Sequence, residues 1–334
     1  MTCITTRHQR QPSHFTTFLV LMLNTSLALA QDGKRGLAYI GSSHTPDTNL
    51  LSSSASPLSW YYNWGPYPGL QTDASNLEFM PMIHGLDAVQ DSQTESAIAS
   101  SPSSSTHLLS FNEPDGTQDS GGSKISAEDA AKAYHDYVLP FRNGSRGGGR
   151  KWKISHPVTT GSGSGVDWLR AFNASCYEID AQNGCPTDFI AVHWYGNFDG
   201  LAAWLGTINE FYNVNASMSL KLWVTELGLP QQDADVTADM MNRTLPYLDG
   251  LEYVERYSWF GAFRTSDANE WTGNGVALFD SDGGLTEVGA LYMGDGFEKG
   301  QKGQGNTSGV EGRRVGWGVL VGLVGVGVWF GGVL

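Results

Sequence analysis

Eight short apolar or aromatic runs, each closed by turn residues, recur along the chain at 36–41, 59–64, 78–83, 106–112, 151–158, 188–195, 221–228 and 254–261. Runs of that length and bounding read as β-strands. Several of the gaps carry helical patterns instead, at 126–139, 166–173, 201–213, 235–248 and 286–293. The clearest opens on Ser126 with Asp129 three residues on, the arrangement of an N-terminal cap. Strands alternating with helices imply a parallel sheet, and eight repeats imply closure into a single α/β domain, a (β/α)8 TIM barrel. The alternative, an open doubly wound sheet, would favour a Gly-x-Gly-x-x-Gly turn after the first strand, and none is present. The crossovers at 42–57 and 91–105 are Ser-rich or polar and are the weakest links in the barrel; 143–149 reads as a flexible glycine loop.

The two ends read as addresses rather than fold. A basic stretch with Arg7, His8 and Arg10 leads into an apolar run and then Ala28-Leu29-Ala30, so residues 1–30 are expected to be a secretion signal cleaved after Ala30. The barrel is expected over 31–297, followed by a polar linker at 298–314 with an anchor attachment point between Gly303 and Gly309. An apolar, glycine-rich tail at 315–334 completes the pattern of a glycolipid-anchor signal, a membrane helix being the alternative. The expected location is therefore secreted, at the cell surface or wall, with the membrane reached only through that C-terminal anchor. Cys3 leaves with the signal, so Cys176 and Cys185 remain as a pair for one disulfide in an oxidising compartment. Sequons at Asn143, Asn173, Asn215 and Asn242, with Asn306 as a fifth if the anchor attaches beyond it, fit the same route.

Acidic residues outnumber basic ones, 34 against 20, for a formal net charge of −14. That field repels nucleic acid and anionic polymers and is compatible with a neutral polysaccharide.

Phe111-Asn112-Glu113-Pro114-Asp115 ends the fourth strand, and Trp223-Val224-Thr225-Glu226-Leu227-Gly228 ends the seventh. Both glutamates thus reach the C-terminal mouth, where barrels of this kind assemble their active sites. A lone glutamate at a strand end is more often one half of an ion pair tying strands together. Two of them facing across one mouth meet the need of glycosidic hydrolysis for a carboxylic acid that protonates the leaving oxygen and a carboxylate that attacks or activates water. Burial and mutual repulsion would separate their pKa values and so their roles.

Gly36-Leu37-Ala38-Tyr39, Ser59-Trp60-Tyr61-Tyr62-Asn63-Trp64, His193-Trp194-Tyr195-Gly196 and the two glutamate motifs together resemble glycoside hydrolase family 128, fungal β-1,3-glucanases within the clan A hydrolases. The resemblance covers about residues 36–297. It implies Glu113 as acid/base, Glu226 as nucleophile, retention of configuration and a β-1,3-glucan substrate, with endo action expected. It also implies that Asn112 hydrogen-bonds the sugar 2-hydroxyl.

Tyr195, one strand from Glu226, is placed to donate to the nucleophile and keep it ionised; His193 is a weaker candidate of the same kind. Trp64 and Trp259 are expected to stack on pyranose faces, and Trp223 to pack outside the barrel. No spacing of His, Asp and Glu suggests a required metal, no cofactor is implied, and no Gly-x-Ser-x-Gly elbow supports acyl transfer. The expected partner is a β-glucan, met by a monomer. A transglycosylase using the same covalent intermediate, or a wall-bound glucan-binding protein without activity, are the competing functions.

Overall fold

The computed structural model describes residues 33–41, 44–69, 77–214 and 219–304. The expected secretion signal, the sequons at Asn215 and Asn306 and the apolar tail lie outside the described residues.

Eight strands form in the expected order: β1 Arg35–Ala38, β2 Trp60–Tyr62, β3 Glu78–Phe79, β4 His107–Leu108, β5 Lys153–Ile154, β6 Phe189–Tyr195, β7 Lys221–Gly228 and β8 Val254–Trp259. Ladders join them as β3-β2-β1-β8-β7-β6 and as β4-β5. Parallel bridges Met82–Leu109 and Ser155–Phe189 connect β3 to β4 and β5 to β6. Every strand is therefore parallel to its sequence neighbour, and β8 pairs with β1, which is the ring of a (β/α)8 barrel. β4 is shorter than the apolar run around it because alternation slips there: Leu109 faces the barrel interior, whereas Phe111 packs in the outer shell.

Nine α-helices flank the ring among the described residues. Those at α4 Ala127–Ala133, α6 Gly163–Ile179, α7 Phe198–Asn209, α8 Ala234–Gly250 and α9 Glu287–Met293 correspond to the expected helical patterns. The Ser126 hydroxyl accepts from Asp129 N at 3.1 Å, as its spacing suggests. α4 then widens into a π-turn at Tyr134–Val138 before α5 Leu139–Asn143. Pro140, which has no N–H to return to the preceding turn, stands just after that widening. The two weak crossovers hold short helices, α1 Thr45–Leu51 after the first strand and α3 Thr94–Ala99 after the third, the latter preceded by α2 Leu86–Gln90. Pro46 presets the first turn of α1, and Leu50 and Leu51 bury its inner face. Tertiary packing outweighs weak propensity in both.

The barrel is filled rather than hollow. Trp60, Tyr62, Met80, Met82, Phe189 and Trp223 belong to one buried interior cluster. Gly36 makes room for it, since a Cβ there would stand 2.1 Å from the Trp60 indole. Trp223 corrects the expectation that it packs outside. Its ring centroid lies 5.4 Å from Trp60 and 4.4 Å from Phe189. Strict alternation back from an inward Glu226 would turn Trp223 outward, but the register with β6 shifts: Val192 pairs with Val224, and His193 with Glu226. Thr225 is the extra residue of a β-bulge, so Trp223 and Glu226 both face inward although three positions apart.

Cys176 and Cys185 are bonded, with a Cα–Cα distance of 5.3 Å, and clamp the end of α6 to the approach to β6. A loop this short contributes roughly 2–3 kcal/mol. Asn143, Asn173 and Asn242 are all exposed. Among the described residues, no helix is long and apolar enough to cross a membrane.

At the base of the barrel Glu78 accepts from Arg256 at 2.8 Å and from the Thr106 hydroxyl at 2.9 Å, with His107 alongside. Burial alone would raise the Glu78 pKa, but His107, Arg256 and Thr106 outweigh it and hold the carboxyl at about 2. A depressed carboxyl contributes stability above its unfolded pKa and loses it as pH falls through its folded value. Glu78→Gln is therefore expected to cost on the order of 2–3 kcal/mol at pH 7. Denaturant unfolding should show the gap between the two proteins shrinking below about pH 4.5 and closing near pH 2.

Candidate active site

The bulge in β7 and the regular alternation of β6 bring three titratable side chains to one point at the C-terminal mouth. Phe189 and Ala191 face the interior, and His193 and Tyr195 continue that face. Glu226 arrives beside them from β7 in register with His193. Glu113 comes from the far side, just beyond β4, with its N–H held by Val158 O at 2.8 Å.

The backbone at Glu113 is left-handed, φ 40°, and so is that of Trp64, φ 58°. Such conformations cost roughly 1–3 kcal/mol each and persist only where the surroundings impose them. Around Glu113 the following loop folds back: Gly116 N bonds Glu113 O, Ser123 N bonds Asn112 O, and Ile125 N bonds Pro114 O. Gly122 passes so close that a Cβ would lie 2.7 Å from the Glu113 carbonyl. Two of the four left-handed non-glycine residues among those described thus sit at this mouth.

His193, with no exposed surface, places Nδ1 2.8 Å from Glu113 Oε1 and Nε2 3.3 Å from Glu226 Oε1. One polar atom from each of the three residues lies within 4.8 Å of the others. Glu226 is held from two sides. Trp64 Nε1 donates to Oε1 at 2.8 Å, and the Tyr195 hydroxyl donates to Oε2 at 2.6 Å. The Tyr62 hydroxyl stands 3.2 Å from Oε1 and 3.1 Å from the Thr225 carbonyl, which the bulge turns toward it.

Burial, then the charge of Glu226, pushes the phenols of Tyr62 and Tyr195 well above the ordinary tyrosine range, so both remain donors. Glu113 has no such set of donors. Burial, with the charges of Glu226 and Asp115, raises its pKa, and a charged His193 donating from Nδ1 pulls the other way. On His193 burial works against charge, but Glu226 and Glu113 outweigh it and lift the imidazole above its usual value. The arrangement gives one carboxyl that tends to keep a proton and one carboxylate fixed by neutral donors, the division of labour that acid-assisted displacement at an acetal carbon needs.

Glu113, His193 and Glu226 are also close enough to share a cation. The hydrogens of Trp64 and Tyr195 point at both Glu226 oxygens, however, so an ion would meet donors where it needs lone pairs.

Asn112 stands beside Glu113, with Nδ2 on the Gly121 carbonyl at 3.2 Å and its buried Oδ1 unpartnered. Trp64 is at the mouth, half-buried, against Phe260 at 5.9 Å. Trp259 is not at the cleft, and its expected sugar contact is corrected. It is 1% exposed, packs in the shell between barrel and helices, and gives its indole N–H to Val276 O at 2.8 Å. Ser258 bonds the Thr225 carbonyl inside the barrel, so its neighbour Trp259 must point outward and Phe260 inward. The small Ser258 between Tyr257 and Trp259 was the signal for that parity. Trp271, in the loop after β8, is 56% exposed and meets Tyr195 edge-on at 4.5 Å. Gln231 holds it by donating to the Trp271 carbonyl at 2.9 Å.

A family profile described as "Glycosyl hydrolase catalytic core" matches residues 36–292, nearly the whole barrel. Alkali-sensitive linkage protein 1 of Schizosaccharomyces pombe is 34% identical over 272 residues, 78% of this chain but 44% of that protein, so the chain spans under half the length of this curated relative. Among solved structures, an exo-β-1,3-glucanase of glycoside hydrolase family 128, subgroup III, from Blastomyces gilchristii is 28% identical with a TM-score of 0.59, covering 79% of this chain and 99% of that one. A subgroup I endo-β-1,3-glucanase from Amycolatopsis mediterranei, bound to laminaritriose, is 25% identical with a TM-score of 0.61, covering 78% and 98%. The chain belongs to the glycosyl hydrolase catalytic core family, and the solved structures it resembles place it beside glycoside hydrolase family 128.

Proposed function

We propose that this protein is a retaining glycoside hydrolase of β-1,3-glucan, with Glu113 as acid/base and Glu226 as nucleophile. The observation that carries the reading is that Glu113 and Glu226 face each other across one mouth, each with an oxygen within 4.8 Å of the other's and of a His193 nitrogen. Retaining enzymes hold their carboxyl groups about 5–5.5 Å apart, and inverting ones about 6.5–9.5 Å, to admit a water. The shorter spacing favours direct attack by Glu226 on the anomeric carbon while Glu113 protonates the departing oxygen. Glu113, now a carboxylate, then draws a proton from the water that breaks the glycosyl ester.

The choice of glucan is supported by the relatives, which are described as acting on β-1,3-linked chains or solved with laminari-oligosaccharides. Internal cleavage is our reading, supported by the endo-acting relative and by the exposed ring of Trp271 after β8, 56% exposed, beside Tyr195. Relatives of both endo and exo type are known, and product length separates them. We also place the enzyme outside the cell, tethered by its C-terminus, on the strength of the two terminal sequence patterns and the exposed sequons.

Incubation with laminari-oligosaccharides of defined length tests substrate, cleavage mode and mechanism together. The expected result is a spread of shorter oligosaccharides whose new reducing ends first appear in the β configuration. First appearance as the α anomer would remove the retaining mechanism. Release of glucose alone would remove internal cleavage, and elongated products would shift the reading to glycosyl transfer.

A further inference from the structure

The imidazole of His193 is in an unusual position for a neutral ring. It is wholly buried, and each nitrogen faces an oxygen of a different carboxyl group, Nδ1 to Glu113 at 2.8 Å and Nε2 to Glu226 at 3.3 Å. Nε2 has no hydrogen-bond partner of ideal geometry to relieve it. The charged groups that act on the ring most strongly are Glu226 from β7 and Glu113 and Asp115 from the loop after β4. Asp115 is engaged elsewhere, accepting from Thr160 N at 3.0 Å and the Thr160 hydroxyl at 2.7 Å. The phenols of Tyr62 and Tyr195, which also border the site, stay neutral and donate toward Glu226.

A neutral ring has one N–H and one bare nitrogen. Placed with the hydrogen on Nδ1, it turns a bare Nε2 toward Glu226 Oε1, lone pair against lone pair. Two arrangements avoid this. In one, the ring is an imidazolium between two carboxylates. In the other, Nε2–H faces Glu226, Nδ1 is bare, and Glu113 is protonated and donates to it. Both have the same protons and the same charge, and they differ only by the place of one hydrogen on the 2.8 Å contact.

We propose that Glu113 and His193 hold the catalytic proton in common along this hydrogen bond, His193 being the positioning residue that keeps Nε2 protonated toward Glu226 and offers a bare Nδ1 to Glu113. This deepens the hydrolase reading and rests on it. In the first step the proton passes from Glu113 to the leaving oxygen as the glycosidic C–O bond breaks and the Glu226 ester forms. Glu113 is then a carboxylate facing a bare nitrogen. That repulsion raises its affinity for a proton and so strengthens it as the base that takes one from water in the second step.

The test uses two readouts. The ¹⁵N NMR shifts of the His193 ring, assigned by comparison with His193→Gln, should show Nε2 protonated and Nδ1 between its bare and protonated values at neutral pH, with Nδ1 changing in Glu113→Gln. A ring with Nδ1 fully protonated and Nε2 bare overturns the proposal, whether or not the enzyme acts on glucan. In kinetics, His193→Gln should move the basic limb of kcat/KM toward acid by about one pH unit or more and cost about 10–100-fold on unactivated glucan. On aryl glycosides whose leaving group needs no proton the loss should be much smaller. Equal losses on both substrates with an unmoved limb mean a structural histidine and also overturn it. Should wild-type protein release nothing from either substrate, the hydrolase reading fails, and the NMR result alone decides how the proton is held.

Discussion

Glu226→Gln is expected to lower kcat on laminari-oligosaccharides by about 10⁴-fold or more, because it removes the attacking carboxylate and with it the covalent route. The amide keeps the shape of the side chain. The Tyr195 hydroxyl, 2.6 Å from Oε2, can turn to accept from the new N–H, while Trp64 continues to donate to the carbonyl side. The fold should therefore persist, and far-UV circular dichroism of the purified variant checks that the loss is chemical. Binding of an intact oligosaccharide, read by calorimetry, should stay within about an order of magnitude of wild type, since the lost interaction belongs to the transition state.

For Glu113→Gln the expected loss depends on the substrate. On glucan, whose leaving group is a sugar hydroxyl, removing the acid should cost about 10²–10⁴-fold. On an aryl glycoside with an acidic phenol the first step needs no proton, so the same variant should form the glycosyl ester readily and then stall. A burst of phenol followed by slow turnover is the signature, and a small anion such as azide, which attacks without general-base help, should restore the rate. Equal losses with both leaving groups would assign Glu113 another role. The two variants together separate the glutamates by function, as the structure separates them by environment: Glu226 is ringed by fixed donors, and Glu113 is raised by burial and neighbouring charge.

Much of the scaffold was legible from the chain because a (β/α)8 barrel repeats one local pattern. All eight strands, the five stronger helices and the Ser126 cap follow from periodicity and turn residues that point the same way. The short helices α1 and α3 escaped notice because Thr, Asp and Asn in α1 carry little helical preference and α3 spans only six residues beside a Ser-rich stretch; buried Leu50, Leu51 and Ile98 make them form. The mouth was legible as far as strand ends position it, which is why Asn112, Glu113, His193, Tyr195, Trp64 and Glu226 converge there. What defeated the reading was parity. The bulge at Thr225 reverses the inward face of β7 and draws Trp223 into the core, and the small Ser258 fixes Trp259 outward and Phe260 inward. A bulge leaves no mark in hydrophobic alternation, because buried faces on both sides of a barrel strand are apolar. Trp271 lies in a loop beyond any strand, so only the fold reveals its contact with Tyr195.

The claim on which the rest depends is that Glu226 forms a bond to the sugar. A β-glucosyl derivative with fluorine at C2 and a good leaving group slows hydrolysis of the ester enough for it to accumulate. Mass spectrometry of the intact protein should then show the added glycosyl unit, and peptide mapping should locate it on Glu226 within the stretch 221–228. Active enzyme that never acquires the adduct, or carries it on Glu113 or any other residue, would contradict the account.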